Sequence, residues 1–210
     1  MEAALKAAVP AAEAELRWDV RASVDDRRDQ ILRSVATFVR DRKLASLTMR
    51  DIADRLGLVK GNLYYYFKNK QDILFHCHLK SIGISLTALD DIRAQQLPPV
   101  ESLRALLLRH IRNITEDVYG GVMLTDLESL TPTQRKRYVA MRDRFEQGVR
   151  KMIRDGIAQG EFAEQSVDLA GFTVLGAINW IPKWHRPGGR LSSIEIAESV
   201  ADQLIRSLRP

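Results

Sequence analysis

The sequence predicts an all-α protein, and three observations carry that expectation. Apolar residues recur at three- and four-residue spacing in one segment after another, no stretch alternates with period two between hairpin turns, and glycine or proline punctuates the ends of the periodic runs. The first run, residues 25–43, sets Ile31, Leu32, Val35, Ala36, Phe38 and Val39 on one helical face. Ser46-Leu47 breaks it. Thr48 then opens a short helix over about residues 49–56: its hydroxyl is suited to cap the start, and Asp51 stands where a carboxylate favours exposed amides. Gly57 suits the left-handed turn that ends it. A third short helix, about residues 60–67, follows within a few positions.

Downstream the same spacing predicts helices over residues 70–96, ending before Pro98-Pro99, and over 100–119, 131–156, 166–184 and 192–208. Thr131-Pro132 marks one start as a cap followed by proline at the first helical position. Residues 1–23 are rich in Ala and Glu, are broken by Pro10 and carry no sustained apolar face, so a flexible arm is expected there. The expected organisation is an arm (1–23), a three-helix unit (24–70) and a larger helical domain (71–210).

Hydrophobic residues make up 45% of the 210 positions and charged residues 28%, the balance of a soluble globular protein. No apolar run approaches the roughly 20 residues needed to span a bilayer. The N-terminus lacks a basic stretch followed by an apolar one, and Cys77 is the single cysteine, so a cytoplasmic location without membrane partners is expected. Residues 21–80 hold 13 Lys/Arg against 7 Asp/Glu, whereas the remainder holds 19 against 20. The excess positive charge is therefore confined to one N-terminal segment, the footprint of a polyanion-binding module.

Two short helices joined across a glycine, with a longer helix before them, form a helix-turn-helix pattern. Ala53 is small where the helices cross, and Leu63 supplies the contact from the second. On that second helix Leu63 and Phe67 point inward toward Ile52, Ala53 and Leu56. Tyr65 lies about 200° from Leu63 on the opposite face, beside Asn62, with Tyr64 and Tyr66 flanking it. Exposed tyrosines donate to phosphate oxygens and meet thymine methyls. Lys60 and Asn62 sit at the helix start, where bases are read. Lys70 opens the next helix, whose free amides favour a phosphate.

Residues 48–57, TMRDIADRLG, followed by KGNLYYYF at 60–67 and Asn69-Lys70, resemble the N-terminal DNA-binding domain of the tetracycline-repressor (TetR/AcrR) family. The resemblance covers about residues 25–74. It implies an all-α homodimer with a three-helix DNA-binding domain joined by the fourth helix to a ligand-binding and dimerisation domain. It also implies site roles. Thr48 and Arg50 match positions near phosphates and bases at the start of the second helix, and Lys60, Gly61 and Asn62 match base-reading positions. Tyr64 matches an aromatic contact to base or sugar, and Tyr65, Tyr66 and Lys70 match backbone contacts. Val59 stands where Ser is common, Asn62 where Thr or Ser is usual and Tyr66 where His is frequent.

Further on, GAINWIPKWHRPGG at 176–189, DLESLTP at 126–132 and VAMRDR at 139–144 are similar to TetR-like regulators that sense acyl-CoA thioesters of catabolic pathways. An acyl-CoA needs an apolar cavity with cations or aromatic faces at its mouth. Phe172, Leu175, Ile178 and Trp180 are the expected lining, with Asn179 nearby, and Lys183, Arg186 and Arg142 the expected mouth. The competing reading makes the aromatic and aliphatic residues dimer core: Leu169, Phe172, Val174, Leu175 and Ile178, with Ile194, Ile196, Val200, Leu204 and Ile205 of the last helix, have the spacing for a four-helix bundle.

His76-Cys77-His78 does not read as a metal site, because neighbours one and two apart on a helix point in different directions; structural histidines and a buried thiol are expected, and no cofactor. Asp126, Glu128 and Asp90-Asp91 lack the partners of a general acid/base pair and are expected to be solvated or capping groups. The sequence thus points to a ligand-responsive DNA-binding regulator, most often a repressor. The rivals are a CoA-utilising or hydrophobic-ligand enzyme with a basic helical N-terminus, and an architectural DNA-binding protein without a ligand.

Overall fold

The computed structural model describes residues 23–40, 48–124 and 127–210. The expected arm up to residue 22, the break at Ser46-Leu47 and Asp126 lie outside the described residues. Among the described residues eight α-helices follow in order: α1 (Val24–Arg40), α2 (Met49–Arg55), α3 (Lys60–Tyr66), α4 (Lys70–Ala94), α5 (Pro99–Glu116), α6 (Pro132–Ala158), α7 (Val167–Trp184) and α8 (Ser193–Leu208). Two 3-10 segments, Val118–Leu124 and Leu127–Ser129, join α5 to α6, and no strand occurs among the described residues. None of the described helices is long and apolar enough to cross a membrane.

Local chemistry sets the helix ends. Thr48 Oγ1 accepts from the Asp51 amide at 3.2 Å while Asp51 Oδ2 accepts from the Thr48 amide at 2.7 Å. Thr131 with Gln134 and Ser192 with Glu195 repeat this reciprocal arrangement at α6 and α8. Each such cap stabilises its helix by about 1 kcal/mol. The hydrogen bonds from Thr48 hold the Asp51 carboxyl below its ordinary range. Gly57 takes φ +64°, the left-handed turn that ends α2. Tyr119 falls outside the helix expected over 100–119: Asp117 adopts extended φ/ψ of −73° and 145°, ends α5, and accepts from the Tyr119 amide at 2.8 Å.

Two apolar cores result. The N-terminal core gathers Ile31, Leu32 and Val35 of α1, Ile52 and Ala53 of α2, Leu63 of α3, Phe67, and Ile73, Leu74 and Cys77 from the first turns of α4. Tyr119 and Val122 of the first 3-10 segment complete it. The second core joins Ile82, Leu86 and Leu89 of α4 to Leu103, Leu106 and Ile111 of α5, Val149 and Ile153 of α6, Val174 and Ile178 of α7, and Ile196, Ala201 and Ile205 of α8. One helix, α4, therefore belongs to both cores. Its crossing with α6 is close: a Cβ added at Gly148 would run into the Leu89 side chain.

Asp90 and Asp91 are not merely solvated, as expected from sequence. Asp90 pairs with Arg144 of α6 and Asp91 with Arg109 of α5, each at 2.7 Å. About half exposed, each pair contributes at most about 1 kcal/mol.

Candidate nucleic-acid interface and ligand cavity

The α3 helix is held from one side only. Leu63 is fully buried, Phe67 is 1% exposed, and Arg28 of α1 lies 4.6 Å over the Phe67 ring while its Nη1 donates to the Tyr66 carbonyl at 2.8 Å. These contacts fix the roll of the helix and so decide what faces out. Tyr65 is 74% exposed and Tyr64 46%, with Asn62 and Gly61 also exposed. Lys60 opens the helix. A Cβ at Gly61 would meet nothing within 4 Å, so packing inside the protein does not require glycine there.

Thr48 caps α2 at the surface, and Arg50, 80% exposed, stands 3.8 Å from Asp54. Lys70 begins α4, where the Asn69 side chain accepts from the Asp72 amide at 2.8 Å. Tyr66 departs from the expected groove-bordering position. It is only 7% exposed, packs edge-on to Tyr65 at 5.0 Å, and its hydroxyl accepts from Arg27 Nη1 at 3.3 Å. The reason is angular: three residues after Leu63 is about 60° from it, inside the buried arc.

The second site is a cavity of about 470 Å³ between α4, α5, α6 and α7, with Leu127 of the second 3-10 segment at its edge. Four of the expected ligand residues line it: Arg142, Phe172, Leu175 and Asn179. Trp180, Lys183 and Arg186 do not; all three are exposed on the outer side of α7 or beyond its end, and Ile178 is sealed in the core. Phe172, 57% exposed, lies beneath Arg150 at 4.7 Å, and Arg150 in turn pairs with Glu146 at 2.6 Å and Asp168 at 3.0 Å.

The expected four-helix interface set also divides. Val174, Leu175 and Ile178 of α7 and Ile196, Leu204 and Ile205 of α8 pack within the protomer. Leu169, Phe172 and Ile194 stay exposed, as do Trp180, Trp184 and Leu191. Pro182, expected to bend α7, lies buried within a helix that runs on to Trp184.

Sequence reasoning missed the polar wall of the cavity. His78, Ser81 and Ser85 of α4 line it with His110 of α5 and Tyr138 and Glu146 of α6. His78, Ser81 and Ser85 follow the three- and four-residue spacing of a buried face. That polar stripe among apolar neighbours was the available signal. His78 is buried, as expected of a structural histidine, and its ring packs against Tyr138 at 4.9 Å. Burial lowers both His78 and His110 to about 4, leaving them neutral at physiological pH, and raises the Tyr138 phenol. Burial also pushes the Cys77 thiol well up, as befits an inert core group. His76 packs on Phe67 at 5.5 Å, with Nδ1 2.8 Å from the Asp72 carbonyl.

Residues 96–208 match the family model of the tetracyclin repressor-like C-terminal domain, and residues 40–77 match that of the bacterial regulatory proteins, tetR family. The HTH-type transcriptional repressor KstR2 of Mycolicibacterium smegmatis is 29% identical over 180 residues, covering 82% of this chain and 85% of its own. Among solved structures, the TetR family transcriptional regulator PfmR from Thermus thermophilus matches with a TM-score of 0.77 and 33% identity, over 84% of this chain and 97% of that one. AibR in complex with isovaleryl coenzyme A and operator DNA matches with a TM-score of 0.74 and 27% identity, over 88% and 98%. With models of both its N-terminal and C-terminal parts matched, the chain belongs to the tetR family of bacterial regulatory proteins.

Proposed function

We propose that this chain is a transcriptional repressor that binds a palindromic operator as a homodimer and is released by an effector with an apolar acyl part, an acyl-CoA thioester. The observation that carries the reading is the outer face of α3, where Asn62, Tyr64 and Tyr65 stand exposed on a helix whose opposite face is pinned by Leu63 and Phe67. An amide that both donates and accepts suits base edges, and phenols suit phosphates and thymine methyls. Gly61 supports close approach of the helix start to the groove, since nothing inside the protein needs its small size. Thr48, Arg50 and Lys70 would hold the flanking phosphates, and Lys60, at the helix start, would read bases with Asn62. Tyr66 acts through packing.

The outer surface of Leu169, Phe172, Trp180, Trp184, Leu191 and Ile194 suits a second copy of the chain, which would set two α3 helices in successive major grooves about 34 Å apart. Operator DNA as a partner implies action in the cytoplasm.

The effector side rests on the cavity and on the likeness to AibR, solved with isovaleryl coenzyme A and operator DNA. Ile82, Phe145, Phe172 and Leu175 offer apolar walls for an acyl group, and Arg142, exposed at the rim, suits an anionic portion left outside. The α4 helix supports coupling between the sites. Its first turns sit in the N-terminal core, and its middle lines the cavity through His78, Ser81, Ile82 and Ser85. An effector that fits better when α4 is displaced weakens DNA binding by that difference in affinity.

An electrophoretic shift on the protein's own promoter region, at fixed salt with and without acyl-CoAs, tests both halves. A shifted complex that a thioester dissolves is expected. No complex at low salt defeats the regulator reading, and a complex that no thioester releases defeats the effector reading. The CoA-utilising enzyme remains the rival from another class: recovery of the thioester intact after prolonged incubation speaks for binding without catalysis, and its turnover for the rival.

A further inference from the structure

The cavity holds one polar arrangement that apolar packing does not explain. Ser85 Oγ lies 3.0 Å from His110 Nδ1, 3.3 Å from Asn113 Nδ2 and 3.5 Å from the Ser81 carbonyl. Asn113 Nδ2 can only donate, so the serine oxygen accepts from it. The single serine proton goes either to the Ser81 carbonyl, with His110 Nδ1–H donating to Oγ, or to His110 Nδ1 itself. In the second arrangement a neutral His110 carries its proton on Nε2, and that is the tautomer the inference takes. Burial keeps the ring neutral, and Phe145 packs against it at 4.6 Å, so its orientation is fixed from two sides. His110 lines the cavity, and among the described residues Nε2 has no hydrogen-bond partner.

We propose that His110, oriented by Ser85 and Asn113, donates from Nε2 to an uncharged oxygen carried on the apolar body of the effector, a ketone or a hydroxyl, and thereby selects oxygenated over plain acyl groups. The inference rests on the cavity being the effector site. It adds a chemical class to that reading: an acyl group bearing an oxygen remote from the end that lies near Arg142. A neutral donor suits a neutral acceptor in this position, because a carboxylate would enter the buried wall with no cation beside it.

Calorimetric titration of the wild type and H110F with a straight-chain acyl-CoA and its keto and hydroxy counterparts, the oxygen moved one carbon at a time, tests the inference. At least one oxygenated member is expected to bind about 10-fold tighter than its parent in the wild type, roughly one hydrogen bond. H110F should bring that ratio to about 1, whatever the change in the parent's own affinity. If the parents bind and no oxygen is favoured, or H110F keeps the preference, the inference falls and the effector reading stands. If no thioester binds, that reading falls, and the same series as free ketones and alcohols decides on His110 alone. A preference lost in H110F sustains the inference, and none overturns it. Long-range proton–nitrogen correlation on wild-type protein gives a check independent of the variant's folding: a neutral Nε2–H tautomer is expected for His110, and the Nδ1–H tautomer or the imidazolium overturns the inference.

Discussion

The α3 and α7 helices both present aromatic side chains to solvent, yet their surroundings differ. On α3 the exposed aromatics are the phenols Tyr64 and Tyr65, with Asn62 beside them and the segment's basic residues around them. On α7 they are Phe172, Trp180 and Trp184, with Leu169 also exposed, as are Leu191 and, in the first turn of α8, Ile194. The first surface suits a charged, hydrogen-bonding partner and the second a dry one. Exposure of an aromatic ring is therefore not a functional signal by itself. What accompanies the ring decides between a polyanion and a second copy of the chain.

The largest effect should come from charging the dry surface. Leu169→Glu combined with Trp180→Glu is expected to give a monomer in light scattering and to lower operator affinity by 100-fold or more, since two half-sites would no longer be held together. A dimer that survives both changes removes the contrast between the two helices.

Acidification probes the buried polar wall next. Burial lowers His78 and His110 to about 4 from an ordinary 6.5, so the unfolded chain takes up protons that the folded one refuses. Stability should be full above about pH 6.5 and fall as pH drops toward 4, by about 2 kcal/mol per histidine at pH 5 as an upper bound. Urea midpoints at pH 7 and pH 5 should show the loss. In H110F the difference between the two midpoints should shrink. An unchanged difference would mean that His110 is not a buried neutral group.

A smaller effect is expected on α3. Tyr65→Ala or Lys70→Ala should weaken DNA binding by about 10-fold across sequences, and Asn62→Ala or Lys60→Ala should also relax base preference, as read by competition between operator variants. Smallest of all, Tyr66→Phe removes only the hydroxyl that accepts from Arg27. It should cost about 1 kcal/mol of stability and leave operator affinity within about 2-fold. A loss as large as that of Tyr65→Ala would restore Tyr66 to the DNA-facing set.

These contrasts also explain which parts were legible in the sequence. The order and type of the eight described helices could be read, because each amphipathic run is bounded by a cap or breaker such as Thr48, Gly57, Thr131-Pro132 or Ser192. The roll of α3 was largely readable as well, since Leu63 and Phe67 fix its period; Tyr66 was misplaced because its 60° offset from Leu63 lies at the edge of the buried arc. By contrast, α7 is apolar on more than one side. The helical period sets Val174 and Ile178, which pack inside, roughly opposite Leu169 and Trp180, which do not, but with both sides apolar it does not decide which side faces in. The cavity was harder still: four helices and a 3-10 segment contribute to it, and its serines and histidines converge only once α4, α5 and α6 have packed.

The central claim is that the outer face of α3 reads a specific DNA sequence. Fluorescence anisotropy of the protein with a duplex from its own promoter region and with a scrambled duplex of equal length, at one near-physiological salt concentration, tests it most directly. A promoter duplex bound at least about 1,000-fold more tightly than the scrambled one is expected. Equal affinities that fall together as salt rises would reduce α3 and its basic surroundings to a general polyanion surface and contradict the claim.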